Sequence, residues 1–265
     1  MSDNIKLCWL GQGGFLISYN NINVLIDPYL SDYCLKLKSK LNHTRCTPIV
    51  RDTAAIKADF YLITHAHGDH FDPESIAPVM QNNPDCRFLC TGDCKSKIEQ
   101  FFPDESARFE FVKTGKMISV SPEVQLHVIP AAHEELTKDA DGEYIAVSYM
   151  LNFTKEHKTV FFGGDTIPYQ GQDSNITDLL PAGYELIMCL PANGRDEARH
   201  SLGIIGNMDI NEAIELAKKC NAKLLIPCHI GMFAGNDAVE KISVEYCEKH
   251  GIKTFMPEAG KDFYL

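Results

Sequence analysis

The stretch Phe60-Tyr61-Leu62-Ile63-Thr64-His65-Ala66-His67-Gly68-Asp69-His70 decides how this chain is read. An apolar, aromatic and β-branched run, the length of a short buried strand, opens directly into histidines and an aspartate. Neutral ring nitrogens and anionic oxygens are the donors that divalent transition metals take. In an extended segment His65, His67 and Asp69 project to one side, whereas His70 breaks the alternation and needs a turn to point back. Adjacent residues such as Asp69 and His70 can therefore serve different metal ions. The alternative is a histidine-rich surface loop, against which the preceding strand and the regular spacing both speak.

The H-x-H-x-D-H pattern resembles that of the metallo-β-lactamase superfamily, and the chain continues in that family's order. His133 follows a predicted strand at 124–129, within Pro130-Ala131-Ala132-His133. Asp165 ends Val160-Phe161-Phe162-Gly163-Gly164-Asp165, where the glycines permit a sharp turn, and His229 ends Leu224-Leu225-Ile226-Pro227-Cys228-His229. Taken singly, these are a loop histidine, a turn former and a core histidine. Their recurrence at successive strand ends argues for one site.

The resemblance implies one metal at His65, His67 and His133, a second at Asp69, His70 and His229, and Asp165 bridging them. It implies hydrolysis by a metal-bound hydroxide, with Asp69 and Asp165 as the catalytic carboxylates. The cofactor would be two divalent metal ions, manganese or zinc, with iron also suited to an imidazole and carboxylate donor set. Asp165 stands where typical zinc β-lactamases have cysteine, and His67 where the di-iron oxidoreductases usually have glutamate. Both differences favour hydrolysis of a non-antibiotic substrate.

Length and composition agree with one enzyme domain over 1–265: 45% of the residues are hydrophobic, and no linker, tandem repeat or low-complexity tract interrupts the chain. The fold implied is α/β (α+β), a four-layer αββα sandwich. Strands are predicted at 5–10, 15–19, 23–26, 87–90 and 186–190. Gly11-Gln12-Gly13-Gly14 joins two of them instead of opening a helix, which excludes a dinucleotide fingerprint. Asp72 and Pro73 start a helix running to about 81, Asp209 and Glu212 a capping-box helix at 210–220, and a further helix is expected over 237–250, stopped by Gly251.

A net charge of −11 opposes binding to polyphosphate, so no nucleic-acid partner is expected. The amino terminus lacks a secretory signal and no apolar run reaches membrane length, which gives the expectation of a cytoplasmic protein without a membrane partner. The ten cysteines are scattered and read as thiols; Cys86, Cys90 and Cys94 are evenly spaced but lack a fourth ligand. Oligomeric state, a homo-oligomer included, is left open.

Two further regions look like bacterial L-ascorbate-6-phosphate lactonases: Thr44-Arg45-Cys46-Thr47-Pro48-Ile49-Val50, continuing through Ile63-Thr64-His65 to Ala77-Pro78-Val79-Met80-Gln81-Asn82, and Pro191-Ala192-Asn193-Gly194-Arg195-Asp196 with Ile205-Gly206-Asn207-Met208. Ala66 and Gly68 depart from those enzymes. This resemblance implies a lactonase opening a small phosphorylated sugar-acid lactone, with Arg45, Asn193, Arg195 and Arg199 as substrate contacts, since guanidinium matches phosphate in bidentate geometry. His200 reads as an ordinary loop histidine or an additional acid. The other readings are a metal-dependent phosphodiesterase or nuclease of the same superfamily, and a non-catalytic metal-binding protein.

Overall fold

The strand Val147–Phe153 is buried at every position, so both of its faces need apolar cover. The computed structural model, which describes residues 5–238 and 242–265, covers it with a second sheet on one side and helices on the other. The first sheet holds β1 (Lys6–Gly11), β2 (Gly14–Tyr19), β3 (Ile22–Ile26), β4 (Phe60–Leu62), β5 (Arg87–Cys90) and β6 (Phe109–Phe111), with β13 (Asp262–Tyr264) on the outer edge of β1. The second holds β7 (Met117–Ser121), β8 (Val124–Pro130), β9 (Val147–Phe153), β10 (Lys158–Phe162), β11 (Glu185–Pro191) and β12 (Leu224–Cys228), in the spatial order β12-β11-β10-β9-β8-β7.

Side chains alternate between layers, as the two-residue period of a strand requires. Leu7 and Trp9, Phe15 and Ile17, Tyr149 and Leu151, and Val160 and Phe162 fill the seam between the sheets. Cys8, Leu10 and Tyr61 turn outward under Ile76 and Val79 of α1 (Pro73–Asn82) and Ile98 of α2 (Lys95–Phe101). On the far face Met150, Phe161 and Met188 lie under α3 (Gln172–Thr177), α5 (Ile210–Lys219) and α6 (Val244–Lys249), through Ile176, Ala213, Ile214 and Cys247. The short α4 (Glu197–Ser201) sits between β11 and α5. The layers are therefore helix, sheet, sheet, helix, the αββα sandwich of the α/β class.

Strand direction places the site. β8 and β10 both run antiparallel to β9, while β10, β11 and β12 are parallel, so β8, β10, β11 and β12 point the same way. In the first sheet β1 and β3 both oppose β2, and β3, β4 and β5 are parallel. Residues that follow the C-terminal ends of β1, β3, β4, β8, β10 and β12 consequently gather along one rim of the sandwich.

Two expectations are corrected. The helix over 237–250 is shorter: Ser243 is extended, with φ −145 and ψ 156, its side chain accepts from the Tyr246 N–H, and α6 starts only at Val244. Residues 239–241 of that expected helix lie outside the described residues. The segment 64–70 is not extended either. β4 ends at Leu62, and the His67 carbonyl accepts from the N–H groups of His70 and Phe71 at 3.1 and 2.7 Å, so a turn divides the histidines. The other starts hold locally: Asp72 caps α1 through Glu74 N–H with Pro73 in first place, and Asp209 and Glu212 close a reciprocal capping box on α5.

All ten cysteines are free thiols, only Cys46 of them exposed. Among the described residues no helix is long and apolar enough to cross a membrane.

Candidate metal centre

Seven side chains from four strand ends converge on the rim. His65, His67 and His133 form one group, His65, His70 and Asp165 a second, and Asp69, His70 and His229 a third; within each, the ligand atoms lie within 4.8 Å of one another. The first group is close to an equilateral triangle, with ring centroids 4.7 Å apart along each side. Asp165 Oδ1 stands 3.1 Å from both His70 Nε2 and His229 Nε2.

Among these side chains His67 Nδ1 and His133 Nε2 are at hydrogen-bond distance, 2.9 Å, but the close approaches around His65, His70 and Asp165 are of another kind. His65 Nε2, His70 Nε2 and Asp165 Oδ1 are buried and have no hydrogen-bond partner. Buried polar atoms are nearly always satisfied, because leaving one unpaired costs about 1–3 kcal/mol. Lone pairs aimed at one another from three residues are the arrangement a cation repays, so this donor set fits a metal centre.

The ring orientations are fixed from behind. Asp27, fully buried and at the end of β3, accepts from Thr64 N–H at 2.8 Å, from the Thr64 hydroxyl at 2.6 Å and from His70 Nδ1 at 2.7 Å. With its proton given to Asp27, the Thr64 hydroxyl is left to accept from His65 Nδ1 at 3.1 Å. Both imidazoles then carry hydrogen on Nδ1 and present Nε2 to the centre. The loops must approach closely for this. A Cβ on Gly164, whose φ is +60, would stand 2.9 Å from Thr64 Cγ2, and one on Gly13 would stand 3.1 Å from His70 Cε1. Tyr149, on the opposite sheet, donates to the Ile63 carbonyl at 2.9 Å and ties the ligand loop across the seam.

Asp27 and Gln12 were not singled out from sequence. Gln12 follows β1, is 1% exposed, and its amide nitrogen lies 2.7 Å from Asp69 Oδ2 and 3.0 Å from His229 Nε2. Gln12, Asp27, Glu134 and His229 are four of the seven non-glycine residues with positive φ among the described residues, so backbone strain collects at this rim.

Burial and charge sort the histidines. Burial lowers the pKa of His65, His67 and His133, the last to about 4, and keeps them neutral. Burial also disfavours protonated His70 and His229, but Asp165 foremost, with Asp27 and Asp69 beside His70 and Asp69 beside His229, raises both above the ordinary histidine value. Burial raises Asp69 and Asp165 too, yet the attraction of His70 and His229 leaves both well below the usual carboxylate range.

The metal-free protein should therefore have a stability maximum near pH 6.5, the ordinary histidine value. Below it the unfolded chain takes up protons that folded His65, His67 and His133 refuse, so stability falls with pH; Asp69 and Asp165 steepen that fall below about pH 4. Above it the folded chain keeps protons on His70 and His229 that the unfolded chain has released, so stability falls again as pH rises. Melting temperatures of chelator-treated protein across this range check both limbs; absence of the alkaline decline would show that the histidine–carboxylate pairing does not form without metal.

The centre opens into a cavity of about 240 Å³ lined by His67, Asp69, Asp165 and His229 and walled by Leu37, Leu41, Ile204, Ile205 and Phe233. Lys38, His43 and Asn236 add its polar contacts, and burial lowers the pKa of His43. The four expected substrate residues lie elsewhere. Arg45 donates to the carbonyls of Tyr29, Ser31 and Thr47 and stacks 4.7 Å over the Tyr29 ring. Arg195 makes a bidentate pair with Glu212, and Arg199 bonds Asp196 and the Asn193 carbonyl. Asn193 bonds Asn207 and Asn236, so through Asn236 it supports the cavity wall from behind. His200 pairs with Glu134 at 3.1 Å, both side chains exposed.

A family model described as the beta-lactamase superfamily domain matches residues 22–230. Among curated proteins, one named UPF0173 metal-dependent hydrolase from Archaeoglobus fulgidus is 26% identical over 233 residues, 86% of this chain and 84% of that protein. Another of that name, from Christiangramia forsetii, is 27% identical over 266 residues, 98% of this chain and 96% of its own. Among solved structures, Igni18, a metallo hydrolase from Ignicoccus hospitalis, superposes with a TM-score of 0.69 at 20% identity, covering 99% of this chain and 98% of its own. The isothiocyanate hydrolase from Delia radicum gut bacteria superposes with a TM-score of 0.71 at 18% identity, covering 98% of each chain. Likeness at these identities is likeness of fold.

Proposed function

Because the chain belongs to the beta-lactamase superfamily, whose domain spans residues 22–230, we propose that it is a hydrolase working through two divalent cations at the histidine and aspartate cluster. The observation that carries this reading is the set of buried, unpartnered ligand atoms on His65, His70 and Asp165. The name metal-dependent hydrolase borne by its relatives supports the class of reaction.

Cations bound there would supply Lewis acidity and lower the pKa of water to the neutral range. The chain's own residues set the rest. His65, His67 and His133 would hold one cation, Asp69, His70 and His229 the other, and Asp165 lies within reach of both. Asp69, kept ionised, is positioned to orient the attacking water. Leu37, Leu41, Ile204, Ile205 and Phe233 would give a bound substrate an apolar wall beside the cluster. His43 is edge-on to Phe233, with ring centroids 5.1 Å apart, and can hydrogen-bond a bound substrate.

The bond we assign is the ester of a small lactone. A cavity of about 240 Å³, lined in part by Leu37, Leu41, Ile204, Ile205 and Phe233 and in part by polar side chains, suits a compact polar ring. A phosphorylated sugar-acid lactone such as L-ascorbate 6-phosphate would meet Lys38, the only lysine or arginine lining the cavity among the described residues, since Arg45, Arg195 and Arg199 are engaged elsewhere.

Chelator-stripped protein reloaded with manganese or zinc should hydrolyse lactones, and His67→Ala should not. The assay compares L-ascorbate 6-phosphate, an unphosphorylated lactone of similar size and a nitrophenyl phosphodiester. Hydrolysis of the phosphodiester alone would replace the lactone reading with that of a phosphodiesterase. No turnover of any of them at full metal loading would leave a metal-binding protein.

A further inference from the structure

The geometry points to Gln12 as an additional oxygen ligand of the cation held by Asp69, His70 and His229, an inference that rests on the two-cation reading above. The Gln12 amide nitrogen lies 2.7 Å from Asp69 Oδ2 and 3.0 Å from His229 Nε2, and the residue is 1% exposed. Without a cation, that nitrogen can donate to Asp69, and to His229 where Nε2 of that ring carries no proton. With a cation, Asp69 and His229 commit those lone pairs to it, and the amide would aim the positive end of an N–H dipole at the charge.

Rotation about the last torsion of glutamine exchanges nitrogen and oxygen at nearly the same positions, and the two are alike in size. The carbonyl oxygen then faces the cation. The backbone prevents retreat: Gln12 is held at φ 50, and its carbonyl accepts from both the Trp9 indole and the His229 N–H at 2.9 Å. Strain of this kind persists only where surrounding structure enforces it. A neutral amide oxygen added to carboxylate and imidazole raises the coordination number and shifts preference from zinc, content with four ligands, toward manganese or another oxygen-seeking cation.

The test is calorimetric titration of manganese into the chelator-stripped full chain, as wild type, Gln12→Glu and Gln12→Leu, with thermal melts confirming the fold. Wild type should bind two equivalents. Gln12→Leu should weaken the second by about 10- to 100-fold, and Gln12→Glu, which keeps the oxygen but cannot donate, should bind it at least as tightly as wild type. Second-site binding in Gln12→Glu weaker than in Gln12→Leu would show that the amide acts only as a donor and would overturn the assignment. Uptake of a single equivalent by wild type would overturn the two-cation reading and this assignment with it. Should the variants fail to fold, wild type carrying ¹³C at glutamine Cδ decides: the second equivalent of zinc should move the Gln12 resonance downfield, and an unmoved resonance overturns the proposal.

Discussion

Asp165→Asn is expected to lower kcat/KM by about a thousandfold or more, which is about 4 kcal/mol of transition-state stabilisation, in a protein that still folds. Asp165 Oδ1 is 3.1 Å from both His70 Nε2 and His229 Nε2, and the residue also belongs to the group that contains His65. It is therefore placed between the histidines assigned to the two cations. Asparagine keeps the shape and removes the charge that offsets two cations. Its NH₂ group can also donate to the histidine lone pairs that a metal needs. The fold should survive because Asp165 Oδ1 takes part in no hydrogen bond that asparagine would break. Metal content and kcat/KM measured together check this; a variant that keeps two equivalents and stays within about tenfold of wild type would remove Asp165 from the bridging role.

The clustered side chains were legible because each carries a local signal. His65, His67, Asp69 and His70 form a dense motif, while His133, Asp165 and His229 each follow an apolar run that a strand explains. Capping residues marked α1 and α5 for the same reason: Asp72 and Asp209 bond backbone groups within three residues. What the sequence hides is set by contacts between distant residues. Arg195 reads as a free guanidinium until Glu212 closes on it across 17 residues, and Arg45 until the carbonyls of Tyr29 and Ser31 do. The helix expected over 237–250 rests on its stop at Gly251, whereas Ser243 followed by Val244-Glu245-Tyr246 is an acceptable cap signal for a later start.

Asp27 and Gln12 show a different limit. A lone aspartate before Pro28 and a lone glutamine between glycines both read as turn residues. Their role follows from topology: β1 and β3 run in the direction of β4, so their C-terminal ends reach the same rim as the metal ligands. Sheet order and strand direction were needed before the rule that found His133 and His229 could find these two.

Asp27→Asn should weaken metal binding more than it weakens the fold, by about 10- to 100-fold in affinity, whereas Asp27→Ala should weaken both. The wild-type carboxylate is an acceptor for three donors: Thr64 N–H, the Thr64 hydroxyl and His70 Nδ1–H. Asparagine can still accept from Thr64 N–H with its oxygen, but it turns NH₂ toward His70. His70 must then accept at Nδ1 and carry its proton on Nε2, the nitrogen that faces the metal. Backbone geometry is kept while the ligand is protonated on the wrong atom. Alanine leaves Thr64 N–H unpaired in a fully buried position, at about 1–3 kcal/mol, and leaves His70 Nδ1–H only the Thr64 hydroxyl at 3.3 Å. Urea unfolding of the metal-free variants, set beside calorimetric metal titration, separates the two effects. If both variants lose metal affinity and stability in the same proportion, Asp27 acts by filling space and not by choosing the His70 tautomer; a stable Asp27→Asn protein that binds metal poorly ties the metal centre to one proton on one ring.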